Sequence, residues 1–254
     1  MKKLALLTAA AVALVASPAA AGGYVGAVYG STDTGGTDAD TWQAEGAVGH
    51  SAGGWGFQLD GSFGNTDAGS DVDHYGLAGH LYWGGSNWRL GAVVTGNNLD
   101  GGGAADVDEL AYGIEGTYDI GPNSRFNAAA TFGDVEILGV DADTWNLDVG
   151  FDFYANPNLR FGGTLGAGNL EVAGTDLETW TGGLDAEWAP FTAPVSFTLG
   201  WTHFDLDDAF LGGIESDNIS VGVRWNFGGT LQDRDNATPF DTRNQVYPRI
   251  FDLR

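Results

Sequence analysis

Bulky apolar residues alternate with small or polar ones along most of this chain. In "ISVGVRWNF", Ile219, Val221, Val223, Trp225 and Phe227 form one set, and Ser220, Gly222, Arg224 and Asn226 form the other. A period of two marks a β-strand whose faces meet different surroundings. The pattern recurs in "TWQAEGAV", "WGFQLDGSF", "HYGLAGHLYW", "NWRLGAVVT", "ELAYGIEGTY", "RFNAAATF", "TWNLDVGFDFY", "LRFGGTLG", "WTGGLDAEW" and "VSFTLGWT". With "GGYVGAVYG" at the front, whose phase is ambiguous, this predicts about twelve strands of about ten residues, a length that crosses a bilayer when tilted. No amphipathic helix is expected.

The connections alternate in length. Those near Gly53, Gly84 to Asn87, Ile120 to Asn123, Ala155 to Asn158 and Pro190 to Pro194 are short and rich in Gly, Pro and Asn, as tight turns require. The others read as longer acidic loops, such as "STDTGGTDAD", "NNLDGGGAADVDE", "GDVEILGVDAD" and "NLEVAGTDLE". Short turns at one end and long loops at the other predict an up-and-down meander, which an even strand number closes with both chain ends on the short-turn side.

In this pattern the bulky face is outside, in lipid, and the small or charged face lines the interior. Hydrocarbon cannot hydrogen-bond a backbone, so strands that cross it must close on themselves. The predicted fold is all-β: a closed antiparallel transmembrane β-barrel of about twelve strands. Trp42, Trp55, Trp83, Trp88, Trp145, Trp188 and Trp225 stand near strand ends, as interfacial girdles do. A soluble sandwich or lipocalin-like barrel would reverse the two faces and scatter lysines along exposed edges. Beyond Lys3 the chain has none.

On these strands and girdles, Gly22 to Phe227 resembles Gram-negative outer-membrane β-barrels, in particular porin-like channels. The resemblance implies a cell outer membrane location. It implies outer-membrane lipid, lipopolysaccharide, the barrel-assembly machinery and small solutes as partners, and no cofactor. The terminal aromatic, Phe227, resembles the signal that the insertion machinery reads. In that family the aromatic usually ends the chain, whereas here residues 228–254 follow it.

Composition sharpens this picture. Lys2 and Lys3, an apolar run from Leu4 and the small residues Ala19 to Ala21 make residues 1–21 a cleavable secretory signal peptide. The domain reading is thus signal peptide 1–21, barrel 22–227 and a periplasmic tail 228–254. After cleavage, 34 acidic residues face eight arginines, a net charge of −26. Such a surface disfavours nucleic acid. The chain has no cysteine, so burial and backbone pairing must supply its stability.

Inward positions rich in Gly, Ala, Ser and Thr leave room for water in a barrel of this size. Arg89, Arg125, Arg160 and Arg224 all fall on the inward face at the short-turn end. Asp152 opposes Arg160 across one turn, Glu115 is placed near Arg125 across another, and Asp185, Glu187 and Asp148 share the face. Two readings stay open for this constellation: an ion-pair network that neutralises buried charge, or a charged constriction that screens solutes. With Glu45, Asp60 and Glu109 also inward, cations should be preferred. The expected function is passive diffusion of small hydrophilic solutes. The alternative is a structural or adhesive barrel that binds ligands or divalent cations through its acidic loops. The acidic segments lack calcium-loop spacing, so no metal residue is assigned. No serine comes within reach of the outward His203, so no catalytic residue is assigned either.

The tail has no strand alternation and holds Arg234, Arg243, Arg249 and Arg254. It is expected to lie at the short-turn side. Two readings are open for it: occlusion of the acidic mouth, or a segment that leaves the pore alone.

Overall fold

The computed structural model describes residues 22–67, 71–101, 107–137, 139–172, 174–190, 194–207 and 213–241. The signal-peptide reading of residues 1–21 and the arginines at 243, 249 and 254 lie outside these residues. The strands are β1 (Gly22–Thr34), β2 (Thr37–Ala52), β3 (Trp55–Asp67), β4 (Asp71–Gly84), β5 (Trp88–Asp100) and β6 (Val107–Asp119). They continue with β7 (Ser124–Ile137), β8 (Val140–Asn156), β9 (Leu159–Val172), β10 (Thr175–Trp188), β11 (Val195–Asp207) and β12 (Ile214–Phe227). Each pairs antiparallel with its sequence neighbours, and β1 pairs with β12 from Gly23↔Phe227 to Thr34↔Ser216, which closes a twelve-stranded barrel.

Face assignment follows the predicted inversion. Leu147, Phe151 and Phe197 are about half exposed on the outer surface, whereas Asn146, Thr198 and Tyr154 are buried inside. In β1, the strand of ambiguous phase, Tyr24 and Val28 point in and Tyr29 points out. Trp55, Trp83, Trp88, Trp188 and Trp225 mark the short-turn end, where Trp83 and Trp88 meet edge to face at 4.8 Å. Trp42 and Trp145 mark the other belt, joined by Trp180 and Trp201. On β3, Trp55 and the partner of Trp42, Asn65, are ten residues apart. At about 3.3 Å per residue and a tilt of about 40°, that spans about 25 Å of membrane normal, the height of an apolar band.

The long acidic loops are the main difference from the sequence reading. Most of their residues continue the strands, which run to 13–17 residues. β1 and β2 meet in a two-residue turn, Gly35-Gly36, with φ of 60° and 84°. Two successive positive φ values are what a tight hairpin turn demands and what glycine supplies. The reason these extensions escaped detection lies in their polarity. Beyond the outer belt the outside is water, so the pattern inverts: Asp134 and Glu136 point out, and Val135 points in. Leu99, Val107, Val135, Ala142 and Leu170 form a buried cluster, flanked by Val72, Ile137, Val172, Leu177 and Leu206. An apolar collar thus lines the lumen at the long-loop end. The outward acids here oppose one another across strands, as at Asp134↔Asp143, Glu136↔Asp141 and Asp143↔Glu171. Like charges in direct opposition repel, so these positions need water around them.

A second difference concerns residues 228–241. Gly228 and Gly229, with φ of 96° and 114°, reverse the chain after β12. One helix follows, α1 (Leu231–Ala237), which the sequence pattern did not announce. It turns back into the short-turn end of the barrel.

A spin label at Phe132 should be accessible to oxygen and protected from a water-soluble nickel chelate in liposomes. A label at Glu136, on the same strand and face, should show the reverse. Equal accessibility at the two sites would contradict a polarity switch between them.

Candidate functional site: the charged lumen and its C-terminal occupant

The short-turn half of the lumen is built from side chains on inward positions of nearly every strand. Arg160 donates to Asp152 at 3.0 Å and to Asp185 at 2.5 Å, and lies 3.9 Å from Glu187. Arg224 donates to Glu45 at 2.7 Å and Glu187 at 2.8 Å. Arg125 donates to Asp119 at 2.7 Å, and Arg89 reaches the same carboxylate at 3.4 Å. Glu45, Glu187, Arg125 and Arg224 are at most 5% exposed. Burial on this scale is sustained only because each charge has counter-charges and further hydrogen bonds.

The expected neighbourhood of Glu115 and Arg125 is not what forms. Register sets Asp119 opposite Arg125 and Ala129 opposite Glu115, which puts Glu115 about four residues, or roughly 13 Å, farther along the barrel. Glu115 instead meets His80 at 2.7 Å, and His80 contacts Asp60 through its other nitrogen at 2.8 Å. His80 belonged to the inward set of "HYGLAGHLYW", but nothing local marked it as the bridge between two carboxylates on other strands. Asp148 also lines the lumen. Phe227 ends β12 opposite Gly23.

The tail segment completes the site. Thr230 caps α1: its hydroxyl accepts from the Asp233 N–H, and the Asp233 carboxylate accepts from the Thr230 N–H. This reciprocal cap satisfies donors that a seven-residue helix cannot satisfy itself. Leu231 and Arg234 are 1% and 2% exposed. Arg234 donates to both Glu187 oxygens, at 2.5 and 2.9 Å, to Asn226 Oδ1 at 2.7 Å and to Asp235 at 2.7 Å. Its guanidinium lies 5.1 Å from the Tyr24 ring centre, and that of Arg224 lies 4.5 Å away. Burial alone would lower the Arg234 pKa, but the Asp235 and Glu187 carboxylates outweigh it and raise the pKa above the ordinary value. The group is therefore a permanent cation.

Other contacts fasten the segment to the wall. Tyr154 Oη donates to Asp235 at 2.8 Å, and Arg125 donates to the Asp235 carbonyl at 2.8 Å. Gln232 N–H donates to the Pro157 carbonyl at 3.1 Å, in the β8–β9 turn. Beyond the helix, Gln58 Nε2 donates to the Phe240 carbonyl at 2.7 Å, and Gln58 Oε1 accepts from the Phe240 N–H at 3.2 Å. The Phe240 ring stacks on His80 at 5.8 Å with 7° between planes. Small wall residues make this fit possible. A Cβ built on Gly49 would stand 1.9 Å from the Ala237 carbonyl oxygen, and one on Gly22 would stand 2.4 Å from Ala237 Cβ.

The inward small residues were expected to leave an open aqueous lumen. Here they accommodate α1, which is bordered by a cavity of about 120 Å³ lined by Asp148, Asp152, Arg160, Asp185 and Asp241 among others, and by one of about 730 Å³ at the short-turn mouth lined by Arg89, Asp119, Arg125, Tyr154, Gln232 and Asn236 among others. Away from the lumen, one group among the described residues has metal-ligand spacing. His203, Glu215 and Asp217, on the outer face of β11 and β12, bring one donor atom each within 4.8 Å.

No protein-family model matches the chain, and no curated protein matches its sequence. Solved structures do match its shape. The NanC porin superposes with a TM-score of 0.54 at 9% identity, covering 79% of this chain and 98% of that one. The β domain of the Bordetella autotransporter BrkA gives 0.52 at 16%, covering 82% and 100%. The translocator domain of the Neisseria meningitidis autotransporter NalP gives 0.50 at 11%, covering 89% and 95%. The fold is that of outer-membrane β-barrels. It is shared by a porin and by autotransporter domains, so the use of the lumen must be argued from its residues.

Replacing Glu187 with alanine leaves two buried guanidiniums, Arg224 and Arg234, short of counter-charge. It should lower the unfolding free energy by about 3–5 kcal/mol in urea titrations of barrel in detergent. Arg89→Ala breaks a longer, more exposed pair and should cost about 1 kcal/mol or less.

Proposed function

We propose that this protein is a passive, channel-type barrel of the outer membrane whose path is closed at rest by its own C-terminal segment. The short-turn end, with both ends of the barrel strands, faces the periplasm in this reading. One observation carries the proposal: the lumen is lined by charged and polar side chains, and a short, self-capped segment that is no part of the barrel wall occupies its short-turn end. A barrel that needed only to be solid could pack its interior with its own strands. Here all twelve strands complete their pairing without residues 228–241. The lumen acids outnumber the arginines, and α1 brings Asp233 and Asp235 with Arg234. An open path should therefore prefer cations, less so as salt screens the field. The solutes are small and hydrophilic, and the barrel performs no chemistry on them.

The apolar collar at the long-loop end favours a second reading, a structural or adhesive barrel that never conducts. Planar-bilayer recording separates the two. The full chain should be silent or rarely open. Protein lacking Thr230 to Arg254, shown to be inserted by its heat-modifiable mobility, should give discrete steps, with a reversal potential on the cation side at low salt. If the truncated protein stays silent, even with Leu99 and Leu170 replaced by alanine to loosen the collar, the structural reading holds. Anion preference would refute the selectivity.

A further inference from the structure

The Arg234 pocket is a complete receptor for a guanidinium ion. Its carboxylate, Glu187, comes from β10, its amide oxygen, Asn226, from β12, and its aromatic face, Tyr24, from β1. Glu187 engages the guanidinium through both oxygens, the fork-to-fork geometry that a planar guanidinium can match and an ammonium cannot. Asn226 accepts from the same nitrogen that Glu187 Oε1 does. Apart from Asp235, beside Arg234 in α1, every partner belongs to the barrel wall.

The wall is also braced for this ligand. Ser196 Oγ donates to Glu187 Oε1 at 2.5 Å and accepts from Asn226 Nδ2 at 2.9 Å. One hydroxyl therefore fixes both acceptors and turns the Asn226 oxygen toward the guanidinium. Arg224 holds Glu187 from the other side and lies over the Tyr24 ring. These contacts involve no residue of the tail, so the receptor keeps its shape when the tail leaves. Glu187 then loses the cation that engages both of its oxygens. It keeps Arg224 at 2.8 Å on one oxygen and Arg160 at 3.9 Å, while Oε1 faces the vacated place from a fully buried side chain. A buried carboxylate oxygen without its charged donor is unfavourable, and a fitting cation relieves it.

We infer that the lumen holds a guanidinium-binding site, occupied at rest by Arg234, which takes free arginine or arginine-bearing solutes when the tail segment is displaced. The inference rests on the reading of residues 228–241 as a removable occupant, and it names the class of solute that competes for the place. The selectivity is for shape as well as charge. Sodium satisfies the charge but spans neither the two carboxylate oxygens nor the amide, and a methylammonium head cannot present parallel donors.

The test uses the full chain with Arg234→Ala, which empties the pocket and leaves the wall intact. Calorimetry at fixed ionic strength should show guanidinium ion and L-arginine binding to this variant. Affinity should be at least tenfold weaker for methylammonium, for the wild-type protein, whose pocket is filled, and for R234A combined with Glu187→Gln. In bilayers, millimolar guanidinium should restore the closed state of R234A by refilling the pocket. Guanidinium binding in R234A, together with silence of the protein that lacks Thr230 to Arg254 and carries the loosened collar, would sink the channel reading and leave the site standing. Conductance in R234A with no guanidinium binding, or with binding that E187Q does not weaken, would overturn the site and leave the channel. Wild-type protein that binds guanidinium as well as R234A does would also overturn it.

Discussion

The whole structure depends on a property of the backbone. An N–H or C=O placed in hydrocarbon without a partner costs several kcal/mol, and no side chain can cover a strand's full row of them. Pairing β1 with β12 removes the last free edge. Once the barrel closes, side chains are released from holding the fold together against the solvent. The outer face can then be chosen for lipid, with Leu, Phe, Val and Trp. The inner face can carry what a soluble core rarely tolerates: at least six carboxylates and five guanidiniums in one linked region, counting Asp119, Arg89 and Arg125 with the residues around Glu187.

That region is stable because each charge is shared. Glu187 touches Arg224 and Arg234, Arg160 touches Asp152 and Asp185, and Asp119 touches Arg89 and Arg125. Desolvation penalises every member, and only mutual neutralisation with good geometry recovers the loss. The same logic explains why α1 is inside. Its Arg234 adds a second close cation to Glu187 beside Arg224, and its Asp235 adds an acceptor for Tyr154. The helix has too few residues to be stable alone. Its cap, and the wall around it, make it a helix.

Much of this was legible from the residue pattern, because a bilayer imposes a simple rule. Wherever the outside is lipid, as from Trp145 to Phe153, alternation of bulky and small residues reveals strand, phase and face together. The rule failed where the solvent changed. From Asp134 to Ile137 the alternation persists with its sense reversed, acids outward and Val135 inward, and against a lipid-facing template it looks like a loop. Pairs close across a turn were readable, as for Asp152 and Arg160 on either side of "ANPN", although register places them diagonally, with Gly162 opposite Asp152 and Tyr154 opposite Arg160. They were not readable when a partner came from farther round the barrel, as for Glu115 with His80. The fate of the tail was the least accessible. Neither Arg234 nor Phe240 carries any local mark that its partners are Glu187, Gln58 and His80, more than 40 residues earlier in the chain.

The Gly228-Gly229 reversal orders events in time. The surface that receives α1 is assembled from β1, β2, β10 and β12, so it does not exist until the first and last strands have met. The barrel must therefore close before α1 can dock, and docking is a local step of a short segment that follows the slow non-local pairing. Each molecule first forms its barrel without the helix in its lumen, and the docked helix is an acquired state, reached only by barrels that have already sealed their seam.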